Sequence, residues 1–117
     1  MKAIKFPATG GYSLIDVPEK HDWRWFPEQI GSEYMEIVHP KKLHDPYLMI
    51  VDEEGLLNEK PFNSFGSWLY GTEEHGNPIV GDILIAKEEP TPDGNDIVGM
   101  TEEEVYKLLA DIVKFDD

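Results

Sequence analysis

Apolar positions along this chain follow a period of two in most short runs and a helical period at its end. Lys2 to Phe6 sets Lys2, Ile4 and Phe6 on one side and Ala3 and Lys5 on the other, with Pro7 and Gly10-Gly11 closing the run. That pattern predicts a short strand at a sheet edge. Tyr12 to Val17 alternates before Pro18, and the Pro-Ala-Thr-Gly-Gly between the two runs has the composition of a hairpin loop, so these strands are expected to pair. Tyr34 to His39 and Tyr47 to Val51 are rich in β-branched and aromatic residues and are joined by a polar stretch bracketed by Pro40 and Pro46. They read as two central strands. Asp52-Glu53-Glu54-Gly55 is a turn signature, with Leu56-Leu57 returning as a stub of strand. Ile79 to Ala86 is apolar on both faces and belongs in the middle of the sheet, whereas Glu88 to Gly99, with its prolines and glycines, reads as a loop.

Three segments carry helix signals. Pro27 to Gly31 offers barely more than one turn. Pro61 to Tyr70 places Phe62, Phe65, Trp68 and Leu69 on one helical face. Thr101-Glu102-Glu103-Glu104 is a capping box, followed by Val105, Leu108, Leu109 and Ile112 at i, i+3, i+4 and i+7, so an amphipathic helix is expected over about 101–114 with that face buried. The expected fold is a single α+β domain spanning 1–117. It has a mainly antiparallel sheet of about four to six strands, covered by the C-terminal helix and one or two short helices.

Composition narrows the chemistry more than it identifies it. With 117 residues, 40% of them hydrophobic, the chain supports one packed core. The absence of cysteine excludes disulfides, thiolate catalysis and cysteine-ligated metals. Neither an apolar signal-like segment nor a membrane-length apolar run is present, and the expected location is the cytoplasm. A formal net charge of -14 opposes binding to phosphate backbones and anionic membranes, so neither nucleic acid nor membrane is an expected partner. The charge is uneven: residues 1–50 carry seven acids and six bases, residues 51–117 seventeen acids and four bases.

No motif commits the chain to a reaction. His21, His39, His44 and His75 stand near acids but lack metal-ligand spacing, so no metal is expected. Ser13, Ser32, Ser64 and Ser67 lie in no nucleophile-elbow pattern, and Gly10-Gly11 lacks the rest of a phosphate-binding loop. No catalytic residue and no cofactor is assigned. Two surfaces remain as candidates. Trp23, Trp25 and Phe26, with Arg24 among them, form a possible aromatic platform for a ligand or peptide. Asp52, Glu53, Glu54, Glu73, Glu74, Glu88 and Glu89 lie at turns where they can gather into one acidic patch, opposed to the Lys41-Lys42 loop. The partner such a patch fits is a protein with a basic surface. The leading functional reading is a non-enzymatic interaction or regulatory protein. The alternatives are a small-molecule binder or enzyme using the Trp23/Trp25 region, and a DNA-mimicking inhibitor whose carboxylates stand in for phosphates.

Trp25-Phe26-Pro27-Glu28-Gln29-Ile30-Gly31 leading into Tyr34-Met35-Glu36-Ile37-Val38, Met49 to Asn58 with its Glu54-Gly55 turn, Pro61-Phe62-Asn63, and Ile79 to Ile85 around Gly81-Asp82 together resemble a family of small proteins of unknown function from phages, plasmids and gut Firmicutes. The resemblance covers about residues 1–87 and leaves the Trp-rich segment and the Thr101 helix as local elaborations. By that resemblance, Asp52 stands where asparagine is expected in many relatives. What the resemblance implies is context, a bacterial or mobile-element accessory protein, and it carries over no catalytic or ligand residue.

Overall fold

The computed structural model describes residues 1–116, apart from the side chains of His75 and residues 113–116; Asp117 lies outside the described residues. In chain order the elements are β1 (Lys2–Phe6), β2 (Ser13–Asp16), α1 (Trp25–Glu28), β3 (Met35–Val38), β4 (Tyr47–Asp52), α2 (Ser64–Tyr70), α3 (Thr72–His75), β5 (Ile83–Thr91), β6 (Gly94–Val98) and α4 (Glu102–Asp116). The strands form one six-stranded sheet in the order β2-β1-β5-β4-β3, with β6 paired to β5, and every pairing is antiparallel. The fold is α+β.

Burial on both faces explains why β4 and β5 are central. All of Tyr47–Asp52 and all of Ile83 to Ala86 are buried. On one face Ile4, Phe6, Met49, Val51, Ile83 and Ile85 pack with Leu69 of α2 and with Val105, Leu108 and Ile112 of α4. On the other, Ala3, Leu48, Ile50, Leu84 and Ala86 pack with Val17, Phe26 of α1 and Ile30. The sheet is thus sandwiched between a helical layer of α2 and α4 and a much smaller layer built on α1. The C-terminal helix forms as its pattern requires. The Thr101 hydroxyl accepts from the Glu104 amide at 3.2 Å, and the Glu104 carboxylate accepts from the Thr101 amide at 3.0 Å. Glu104 also meets Lys87 at 3.0 Å, which ties the first turn to β5. The Thr101 amide, with help from Lys87, holds the Glu104 carboxyl below its ordinary range. Of the expected face, Val105, Leu108 and Ile112 are buried and Leu109 is half-buried.

Several expectations are corrected. β1 is not an edge strand, since it lies between β2 and β5, and Tyr34 to His39 does not form a central strand, since β3 ends the sheet. Strand β5 starts at Ile83 rather than Ile79, and it runs to Thr91 through what reads as loop before turning into β6. Pro90 is tolerated there for a specific reason. The Glu88 amide points to Pro46 O at 2.9 Å, away from β6, so by alternation the missing amide of Pro90 would also have pointed away and the β5-β6 ladder loses nothing. Leu56 and Leu57 form no strand and sit 62% and 78% exposed in a turn. Helix α2 starts only at Ser64, because Asn63 caps it. Phe62 lies outside as an exposed bridge partner of Val80, and Ser67 takes a buried position on the helical face.

If the α4 face holds the helical layer, Leu108→Ala should cost about 2–5 kcal/mol. Tyr106→Ala, at a site 61% exposed, should stay within about 0.5 kcal/mol. Denaturant unfolding of the two variants measures both.

Candidate functional site

Two of the short sequence motifs, Pro61-Phe62-Asn63 and Gly81-Asp82, are joined to one another structurally. The Asn63 side chain, 1% exposed, donates to Phe6 O at 3.0 Å and to Gly81 O at 2.8 Å, and its Oδ1 accepts from the Gly66 amide at 2.8 Å. Its hydrogen-bonding capacity is spent on β1, on the segment before β5 and on the start of α2. Gly81 holds a left-handed backbone, φ 78°, and a Cβ there would come within 2.9 Å of the Lys60 side chain. Asp82 then accepts from the Ala8 amide at 2.9 Å and lies 3.5 Å from Lys5, fastening the β1-β2 loop. None of these groups faces a cavity with spare valence, so their role is to connect.

Asp52 departs from the expectation of a surface acid. Its side chain is 2% exposed, with Oδ2 lying 2.6 Å from the Lys60 ammonium and Oδ1 accepting from Ser32 Oγ at 2.8 Å and the Glu54 amide at 2.9 Å. Lys60 also donates to Gly31 O at 2.9 Å. Burial pushes the Asp52 carboxyl up, but Lys60, Ser32 and the Glu54 amide together outweigh it and hold the group below its ordinary value. The pair pins the Glu53–Lys60 turn and the loop after α1 to the end of β4.

The other acids do not all share one end of the sheet. Ile50 pairs with Leu84 and Tyr47 with Lys87, so Glu53-Glu54 follow β4 at the level where β5 begins. Glu88-Glu89 lie further along β5, about 20 Å away at roughly 3.3 Å per residue. Glu88 Oε1 meets His39 Nε2 at 2.8 Å. Glu73 and Glu74 flank a hollow of about 320 Å³ together with Lys42, Phe62 and Trp68. Lys42 donates to Trp68 O at 2.8 Å and sits 4.8 Å from its ring centroid, so the lysine-bearing loop lies beside this cluster instead of opposite it.

The aromatic segment divides. Phe26 is 2% exposed and belongs to the core, where the rings of His21 and Trp25 meet it edge-on, each with centroids 5.0 Å away. Trp25 is half-buried against the same core. Only Trp23 presents itself, 55% exposed, with the Arg24 guanidinium 5.6 Å from its ring. It stands as a fin between two grooves. One, of about 530 Å³, runs between the His21–Phe26 segment and β6 and includes Met35, Ile97 and the acids Glu19, Asp22 and Asp96. The other, of about 360 Å³, includes Pro27, Tyr34, Glu28 and Glu33. His21 closes the first groove at one end, with its ring nitrogens 2.9 Å from Pro18 O and 3.4 Å from Ile97 O. The sequence marks the tryptophans but not Tyr34, Met35 and Ile97, because nothing local marks a residue that lies across a sheet.

Among the described residues no group of three His, Asp or Glu side chains is arranged to hold a metal ion, and no helix is long and apolar enough to cross a membrane. His44 faces Asp111 at 3.6 Å and His39 faces Glu88, each as a single pair.

Two predictions follow from the buried polar groups. Asn63→Ala strands Phe6 O, Gly81 O and the Gly66 amide and should cost at least about 2 kcal/mol. Asp52→Asn keeps acceptors for Ser32 and Glu54 but leaves the Lys60 charge unpaired, at about 1–3 kcal/mol near neutral pH. Because the folded Asp52 carboxyl titrates below its ordinary 3.8, its contribution is complete above that value and is lost as pH falls through the folded one. The stability gap between wild type and Asp52→Asn should therefore narrow on acidification below about pH 4, as chemical unfolding at stepped pH would record.

Neither a curated protein nor a solved structure matches the chain. A family model matches residues 17–112, a span that begins after β2 and takes in most of α4, so the C-terminal helix that the resemblance leaves outside falls within the match. The sheet, the Asn63 and Asp52 clasps and the Trp23 grooves all draw on this span, and the chain belongs to the family described as Domain of unknown function (DUF3846).

Proposed function

We propose that this is a non-enzymatic interaction or regulatory protein of bacterial or mobile-element origin, acting in the cytoplasm, whose partner is a protein with a basic surface. The observation that carries this reading is Trp23: a large aromatic side chain left 55% exposed between two grooves. The grooves are lined by five acids, Glu19, Asp22, Glu28, Glu33 and Asp96, against two bases, Lys20 and Arg24. Exposed tryptophan set in a concave surface is the residue type and placement that dominates binding energy at protein interfaces. Carboxylates at the rim favour cationic partners and speed encounter. A protein carrying a net charge of -14 extends that preference over its whole field.

A small-molecule ligand is the second reading, supported by the roughly 530 Å³ of the larger groove, a size within the range of ligand sites. Duplex mimicry draws less support. It requires unpaired carboxylates in line, and Asp16, Asp52, Glu88 and Glu104 are each engaged by Lys2, Lys60, His39 and Lys87.

Affinity capture from a bacterial lysate, run in parallel with wild type and Trp23→Ala, tests the proposal. One basic protein should be retained by the wild type, released as salt shortens the Debye length below about 8 Å, and retained at least tenfold less by Trp23→Ala. A captured set that is identical for the two proteins, or indifferent to salt, would overturn it.

A further inference from the structure

The edge of the sheet beside Trp23 has a free row of backbone groups. Among the described residues, strand β3 pairs with β4 on one side and with no strand on the other. The Glu53 amide donates to Tyr34 O at 3.3 Å within the register that places Glu36 opposite Val51 and Ile37 opposite Ile50. In an antiparallel ladder bonded and non-bonded pairs alternate, so Glu36 and Val38 bond to β4, while the N–H and C=O groups of Met35 and Ile37 point outward. Soluble proteins usually blunt such an edge with lysine, proline or a bulge. Here the strand is Met-Glu-Ile-Val with Ile37 left 40% exposed, and it contains neither proline nor lysine.

We propose that β3 accepts an added strand from an extended basic segment of the partner, a reading that rests on the proposed function and specifies how its site is used. Three features commit the edge to that occupant. From Trp25 to Pro40 the chain carries Glu28, Glu33 and Glu36 and no lysine or arginine. Glu36 lies on the face of the sheet that bears Val51, and Ile37 on the face that bears Ile50, Met35 and the Trp23 groove. Residues paired across strands share a face, so the incoming segment carries a basic side chain opposite Glu36 and an apolar one opposite Ile37. A second copy of this chain is disfavoured, because it would set Glu33 and Glu36 of one molecule near those of the other in a dimer of two chains that each carry -14.

The pairing rule makes a sharp test. If the strand adds antiparallel, as every other pairing in this sheet does, only the residues opposite Met35 and Ile37 turn their amides inward, and those are the apolar residues of the added strand. The probe is the heptapeptide Lys-Val-Lys-Thr-Lys-Val-Lys, used in three forms: unmodified, N-methylated at the two valines and the threonine, and N-methylated at the internal lysines. Titration against the full chain at low salt, with hydrogen exchange at Met35 and Ile37, should show binding and protection for the unmodified peptide. Methylation at valine and threonine should weaken binding by about tenfold or more, and methylation at lysine by less than about threefold. Equal loss in both methylated forms would overturn strand addition while leaving side-chain docking at Trp23 intact. A discriminating response that Trp23→Ala leaves unchanged would support the added strand and overturn the Trp23 site. Absence of binding by all three peptides would overturn both. A concentration-dependent dimer that protects the Ile37 amide without peptide would make the second copy the occupant and overturn the proposal.

Discussion

The buried Asn63 amide is the interaction on which the architecture of this domain turns. A backbone run from Gly55 to Asp82 leaves the sheet after β4 and must return to start β5, and no regular ladder guides it except the single Phe62-Val80 bridge. Asn63 supplies the missing register. One side chain sets the end of β1, the left-handed turn at Gly81 and the first turn of α2 at fixed distances from one another. Ser67 adds a second fastening one turn later, its hydroxyl accepting from the Ile79 amide at 2.9 Å. An apolar side chain at either position would leave buried backbone groups unpaired, a cost that packing cannot recover. That explains why α2 presents Ser67 to the core beside Leu69 and the half-buried Phe65 and Trp68 of its expected face.

The same logic governs how much of the fold was legible in the sequence. Strands β1, β2 and β4 and helix α4 announce themselves because their signals are local: alternation, a proline or glycine stop, a capping box. The position of a strand within the sheet is not local. Ile4 and Phe6 look like one side of an edge strand until Ile83 and Ile85 pair across from them, and Ile37 looks central although nothing follows it. The β5-β6 hairpin was hidden by Pro90 and Pro92, and the first of these is harmless only because its nitrogen faces the open side of the ladder. Of the candidate site, Trp23 was legible as an aromatic in a polar setting. Its separation from Phe26 was not, since two residues three apart in a one-turn helix and its approach differ in burial only through what the sheet places beneath them.

Charge acts on two scales in this molecule. Locally, acids placed against a lysine or a histidine stitch loops to strands: Asp52 with Lys60, Asp82 with Lys5, Glu104 with Lys87, Glu88 with His39. Only the first is buried deeply enough for the pair to be costly to break, because solvent screens the others. Globally, the chain has more than twice as many acids as bases, so most carboxylates are left for the surface. They lie at both ends of the sheet as well as along the Trp23 grooves, so the negative field extends over much of the surface. A field of that kind sets the sign of a partner without setting its position.

Position has to come from shape, and the two layers over the sheet differ in how much they supply. On one face α4 and α2 cover the apolar row almost completely, with Val105, Leu108 and Leu69 closing over Met49, Val51 and Ile85. On the other, α1 has four residues, and Phe26 and Ile30 account for most of what it seals. Met35, Ile97 and Ile37 extend beyond that cover toward the rim. A sheet face this apolar, with a lid this short, leaves apolar surface next to solvent, bordered by the acids along the grooves. The thinness of the α1 layer, more than any single side chain, is what concentrates Trp23, the free edge of β3 and the grooves in one region of the molecule.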